Sequence, residues 1–325
     1  MASPFTLDQL NDASALVAQY VPPTPQFAWP LLADAVGADV WVKHENHTPT
    51  GAFKVRGGLV YANRYAREHV SPLGLISATR GNHGQSLAFA GRAFGLDVTI
   101  VVPFGNSPDK NAAMRAFGAT LIEHGHDFQA AREHAMWLAE NDGMQMVPSF
   151  HPDLVLGVAT YAREFLVGAP DLDVVYVPVG LGSGICAHIA VRDLLGLRTE
   201  IVGVVAENAP ATALSFAAGH AVSTDTADTF IDGVACRVPD PAAVEIINGG
   251  ASRIVQVGED LCAAAVRLMF STTHNIPEPA GAVSLAGLLA EREQQQGRRV
   301  GITLTGGNMD APLLATILAG HTPTP

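Results

Sequence analysis

"DVVYVPVGLGSGICAHIAVRDLLG" (residues 173–196) carries three signals in one run. Residues 173–180 are β-branched and apolar enough for a buried strand. "GLGSG" (180–184) follows, and "GICAHIAVRDLLG" then has a helical pattern. A strand feeding a helix through a glycine turn is the unit of a parallel sheet with crossover helices. The same alternation runs along the chain. Strands are expected at 38–44, 73–78, 97–102, 119–125, 199–207, 252–258 and 298–307. Helices are expected at 52–68, 83–95, 107–118, 127–141, 259–274 and 281–295, with a last one from Met309. The fold class is therefore α/β. Ligands of open α/β sheets bind beyond the carboxyl ends of the strands, so the turns after the strands are where chemistry is sought.

Glycines let the 180–184 backbone fold tightly and aim its N–H groups at one point. With the helix dipole behind them they form an anion cradle, to which Ser183 adds a hydroxyl. The loop lacks the Gly-Lys-Ser/Thr ending of a nucleoside-triphosphate loop. A nicotinamide-dependent oxidoreductase stays open: Gly180 and Gly182 fit, and Glu207 ends the next strand where a ribose-binding acid belongs. Ile185 stands where the third glycine is required, however. A plain strand-to-helix turn without a ligand stays open too.

A second glycine-containing turn, "TRGNHGQS" (79–86), follows the 73–78 strand and can hold another anion such as a carboxylate, with Asn82 and His83 in reach. Asn82 also suits a helix cap. Between these turns in purpose, though not in sequence, stands "TPTGAFKVRGG" (48–58). Only Lys43, Lys54 and Lys110 are lysines in this chain. Lys43 in an alternating strand and Lys110 in a polar first turn both suit solvent. Lys54, beside small residues and near two anion cradles, suits an imine with an aldehyde cofactor; a surface lysine in a loop stays open.

The 325 residues are enough for one large or two medium domains. A net charge of −12 argues against nucleic acid and anionic membrane as partners. No apolar run reaches a membrane span, and "MASPFTLDQLNDAS" has no signal-peptide pattern, so the cytoplasm is expected. Cys186, Cys236 and Cys262 are scattered and expected to be reduced and buried. No His or Cys spacing suggests zinc.

"TGAFKVRGG", "GNHGQS", "VPVGLGSGI", "EPAGA" (278–282) and "TGGN" (305–308) occur in the order found in the threonine/serine dehydratase and serine racemase group of fold type II pyridoxal phosphate enzymes. The chain resembles that group from about Pro22 to Asp310. The resemblance implies two lobes, each a mostly parallel sheet flanked by helices, with the cofactor in the cleft between them. It implies a large lobe of residues 1–73 and 151–325 and a small one of 74–150, in a homodimer. Pyridoxal 5'-phosphate would be held by Lys54 as an imine. Phe53 would lie against its ring and Asn82 at its 3-hydroxyl. Gly180, Leu181, Gly182, Ser183 and Gly184 would hold its phosphate, Thr305 its ring nitrogen, and Glu278 would stand nearby. Thr79, Arg80, Gly81, Asn82 and His83 would meet the substrate carboxylate.

The implied reaction is elimination of water from a β-hydroxy-α-amino acid, threonine or serine by default, to a 2-oxo acid and ammonia. Lys54 would take the Cα proton. Phenylserine and 3-hydroxyaspartate are alternative substrates, and amino-acid racemisation is an alternative reaction. Arg80 replaces the serine that racemases of the group use as second-face base. A guanidinium stays protonated at ordinary pH, so racemisation is expected to be weak. Arg80 could bind a second substrate carboxylate or pair with a protein acid. Val205 and Ala211 stand at the group's divalent-cation positions and Glu207 is out of register, so no divalent metal is expected there.

Overall fold

A computed structural model describes residues 3–69 and 73–324. It contains β1 (Gln26–Ala28), β2 (Asp39–His44), β3 (Leu75–Ala78), β4 (Val98–Val102), β5 (Thr120–Glu123) and β6 (Gln145–Met146). It continues with β7 (Val174–Pro178), β8 (Glu200–Ala206), β9 (Arg253–Val257) and β10 (Arg299–Leu304). Six strands form one sheet in the order β1-β2-β10-β7-β8-β9, and four form a second in the order β5-β4-β3-β6. All pairings are parallel except β1 with β2. Parallel sheets require helices on both faces, which explains the near-continuous apolar strands that made the chain readable.

On one face of the large sheet, Val40, Val42, Tyr176, Val204 and Ile302 pack with Val266, Val283 and Leu285. Those last three lie on helices Glu259–Thr273 and Pro279–Ala290. The opposite face packs Val175, Val177 and Ile201 against helices Pro152–Gly168 and Ser183–Leu194. The small sheet is covered by Leu59, Val55 and Leu87 on one side and by Ala131 and Ala135 on the other. Cys186, Cys236 and Cys262 are free thiols and buried. No helix among the described residues is long and apolar enough to cross a membrane.

Helix Pro152–Gly168 was not expected. "PSFHPD" (148–153) has turn composition, but His151 caps the helix by accepting from Asp153 N at 3.2 Å, and Pro152 opens it. The helix runs against helix Lys54–Glu68 closely enough that a Cβ on Gly157 would lie 2.2 Å from Arg56 O. On the other side of the crossing, a Cβ on Gly57 would lie 2.8 Å from Leu154 O. The glycines after Lys54 therefore serve helix packing inside a regular helix, and not a turn.

The expectation that Lys43 meets solvent is wrong. Lys43 is fully buried, donates to Thr24 O at 2.9 Å and pairs with Glu164 at 2.6 Å. Arg56, also fully buried, pairs with Glu45 at 2.8 Å and with Glu164 at 2.6 Å. Alternation on β2 placed Lys43 on the face of Trp41, and helix Pro152–Gly168 covers that face.

Candidate active site

Lys54 begins its helix at a turn tied down from several directions. The Thr48 hydroxyl donates to Ala52 O at 2.8 Å and accepts from Ala52 N at 3.0 Å. Ala52 bridges to Gly306, and Phe53 N donates to Thr305 O at 3.0 Å. Ser86 Oγ donates to Lys54 O at 2.6 Å. The Lys54 ammonium group stands 5.2 Å from the centre of the Phe53 ring. Burial lowers its pKa from 10.5 to about 8, against a smaller opposing pull from Glu278. A lysine so placed yields a neutral amine near physiological pH far more readily than a surface lysine does.

The glycine turn after β7 is built around absent side chains. Gly182 has φ +99° and precedes helix Ser183–Leu194. A Cβ on Gly180 would lie 2.5 Å from Gly233 O, and one on Gly233 would lie 2.5 Å from the Ala280 side chain, two residues after Glu278. At the other end, a Cβ on Gly184 would sit 3.5 Å from the Tyr161 hydroxyl. The Tyr161 ring in turn packs edge-on to Phe53 at 5.7 Å. The cradle is thereby connected on one flank to Glu278 and on the other to the residue before Lys54. Ser183 is buried in it.

The turn after β3 brings the remaining residues. Thr79 and His83 are buried, and Gly81 N donates to Thr79 Oγ1 at 3.2 Å. Asn82 is the first residue of helix Asn82–Phe94. Its Nδ2 donates to Glu278 Oε1 at 2.6 Å, and its Oδ1 accepts from Asn308 Nδ2 at 2.8 Å. Asn308 also donates to Thr50 O at 2.8 Å, so one amide joins the Lys54 turn to Asn82. His83 Nε2 is buried without a hydrogen-bond partner. Burial, then the charge of Lys54, pulls its pKa down to about 3, so the ring is neutral. Glu278 is buried, its carboxyl pushed up by desolvation despite Lys110, Asn82 and Lys54. Thr305 is buried beside it, where Glu278 N donates to Gly306 O at 3.0 Å.

These residues fit pyridoxal phosphate. The glycine turn would take its phosphate, Lys54 its aldehyde carbon, and Thr305 its ring nitrogen. Asn82, which was expected at the 3-hydroxyl, has its amide hydrogen directed at Glu278. The nicotinamide alternative fares poorly, because Glu207 lines a different cleft, with Asn208, Pro210 and Thr224.

Arg80 contacts Asp232 at 3.5 Å, and Lys110 contacts the other oxygen of the same carboxylate at 3.7 Å. Sequence reasoning missed Asp232, the role of Asn308 and the inward position of Lys110. The Lys110 stem packs on Gly81, 2.9 Å from where a Cβ would stand. The one available signal was that Lys110 occupies the first turn after β4, on the carboxyl edge of the sheet. Val205 and Ala211 are buried, and their side chains have no atom able to ligate a metal.

The sequence pattern of a family described as "Pyridoxal-phosphate dependent enzyme" matches residues 17–306. An L-threonine ammonia-lyase from Thermotoga maritima is 30% identical over 97% of this chain and 78% of its own. An L-threo-3-hydroxyaspartate ammonia-lyase from Pseudomonas is 32% identical over 91% of this chain and 93% of its own. Among solved structures, threonine deaminase isoform 2 of Solanum lycopersicum superposes with a TM-score of 0.89 at 28% identity, covering 98% of this chain and 96% of that one.

Proposed function

The chain belongs to the pyridoxal-phosphate dependent enzyme family, and on that premise we propose how its residues remove water from a β-hydroxy-α-amino acid; the enamine released then takes up one water and breaks down to a 2-oxo acid and ammonia. It is an ammonia-lyase of the threonine and serine dehydratase group, as its similarity to the threonine and 3-hydroxyaspartate ammonia-lyases supports. The cofactor, when bound, supplies an aldehyde for the substrate amine and a ring that accepts electron density from Cα.

The residues divide the remaining work. The Gly180–Gly184 turn, Leu181 included, binds phosphate through backbone N–H groups at a helix N-terminus. Phe53 supports the ring. Thr79, Gly81, Asn82 and His83 orient the substrate carboxylate. A neutral His83 adds no charge there. Lys54, its pKa lowered to about 8, removes the Cα proton as a neutral amine. A hydroxyl from Thr305 at the ring nitrogen, unlike a carboxylate, does not hold that nitrogen protonated. With the cofactor bound, a hydroxyl at this position would favour loss of the β-hydroxyl over return of a proton to Cα. Arg80 cannot act as a second-face base, which argues against racemisation.

The observation that carries this proposal is geometric: Asn308 joins the Lys54 turn to Asn82, and Phe53, next to Lys54, packs through Tyr161 towards the glycine turn at 180–184. The test is oxo-acid release from a panel of β-hydroxy amino acids, including phenylserine. A purified, cofactor-loaded protein that releases none from any of them contradicts it. A homodimer is supported by exposed Phe27 on edge strand β1 and exposed Leu31 on the helix that follows it. Light scattering reporting a monomer would contradict that.

A further inference from the structure

Arg80 and Lys110 come from different elements, the turn after β3 and helix Pro108–Ala116, yet both point at one acid, Asp232. At 3.5 and 3.7 Å neither contact is a hydrogen bond, and neither side-chain head has another carboxylate within ion-pair distance among the described residues. One carboxylate therefore neutralises two cations. Arg80 and Asp232 are about half exposed and Lys110 largely covered. All three line a cleft of about 540 Å³ that also includes Glu278 and Asn308. The pair brackets the carboxylate-binding turn: Arg80 is part of it and Lys110 lies on Gly81. Two other acids border this cleft, but Glu278 is engaged by Asn82 and Asp310 by Ser107, each over 2.6 Å.

We infer that Arg80 and Lys110 form a subsite for a second carboxylate, so that the preferred substrate is a β-hydroxy amino acid with an acidic side chain, of the 3-hydroxyaspartate type. Asp232 holds the two cations together and gives way to the incoming anion. A guanidinium fork and an ammonium together match a carboxylate's two oxygens. A threonine methyl offers them nothing and leaves their desolvation uncompensated. The inference rests on the proposed lyase reaction. Similarity cannot make this choice, because the threonine and 3-hydroxyaspartate enzymes are about equally similar to this chain.

The test uses the cofactor-loaded protein. The kcat/KM for threo-3-hydroxyaspartate should exceed that for threonine by about tenfold or more, the scale of one charge-assisted hydrogen bond. In Arg80→Gln and in Lys110→Met that ratio should fall by a similar factor. In Asp232→Asn, where the competing carboxylate is gone, it should rise. A binding measurement by calorimetry should find aspartate, which lacks the hydroxyl, bound tighter than 2-aminobutyrate, and the difference should shrink in Arg80→Gln. Turnover of threonine with no preference for the diacid, or a ratio unmoved in these variants, overturns the inference alone. No oxo acid from any β-hydroxy amino acid overturns the lyase proposal beneath it.

Discussion

Asn82 donates from Nδ2 to Glu278 Oε1 over 2.6 Å, joining two residues 196 positions apart across the cleft. The acid is buried, and desolvation pushes its pKa up. A carboxyl whose folded pKa is raised stabilises the fold most at low pH and loses that stability as pH rises through the folded value. Glu278→Gln keeps an acceptor for Asn82 without the charge. The variant apoprotein should melt higher than the parent at neutral pH, with the gap narrowing towards pH 4. Melting curves at several pH values check this, and a gap that widens on acidification would contradict it.

Lys54 titrates the other way. Its amine is depressed from 10.5 to about 8 by burial. Between those values the unfolded chain binds more protons, so stability rises with pH, and below about 8 the full penalty is present. Only the neutral amine attacks an aldehyde. Cofactor uptake by the apoprotein should speed up roughly tenfold per pH unit below the midpoint and level off above it. Stopped-flow absorbance at a series of pH values measures this. A midpoint near that of an ordinary lysine would show that burial does not act as described.

Gly180 has no room for a methyl group, since its Cβ would meet Gly233 O at 2.5 Å. Gly180→Ala should push the cradle off Gly233 and cost about 1–3 kcal/mol, or about five- to 150-fold in the dissociation constant for pyridoxal phosphate. Equilibrium titration of the apoprotein reads this directly. Unchanged affinity would remove the 180–184 turn from the phosphate site.

Arg56 sits among Glu45, Glu164 and Lys43 with no exposed surface. Arg56→Met would leave two carboxylates facing one lysine, and breaking such a buried pair costs about 3–5 kcal/mol. Denaturant unfolding should show that loss. A change under about 1 kcal/mol would mean that these charges are solvated like surface pairs.

Much of the fold was legible because buried parallel strands write themselves as apolar runs, and the candidate site because ligands of open α/β sheets bind where strands end. "VVYVP" and the glycines after it need no tertiary knowledge. Lys43 and helix Pro152–Gly168 were misjudged for a common reason. Polarity suggested solvent for Lys43 and turn composition stopped the helix reading at Pro152, while what buries one is the other. Asp232 was invisible, and Asn308 stood in the quoted "TGGN" without a role, for a different reason. Their partners lie more than a hundred residues away, and no local pattern marks an acid that will face Arg80 and Lys110. Lys110 looked like a surface charge because Gly81, which makes room for its stem, gives no hint of it in sequence.

The central claim is a covalent bond between Lys54 and pyridoxal phosphate. Loaded protein is reduced with borohydride, digested, and read by mass spectrometry. The peptide containing Lys54 should carry the added mass of the reduced pyridoxyl phosphate, and Lys54→Ala should carry none at any position. A label on Lys43 or Lys110 with Lys54 unmodified, or a parent protein that takes up no label at all, would contradict the account.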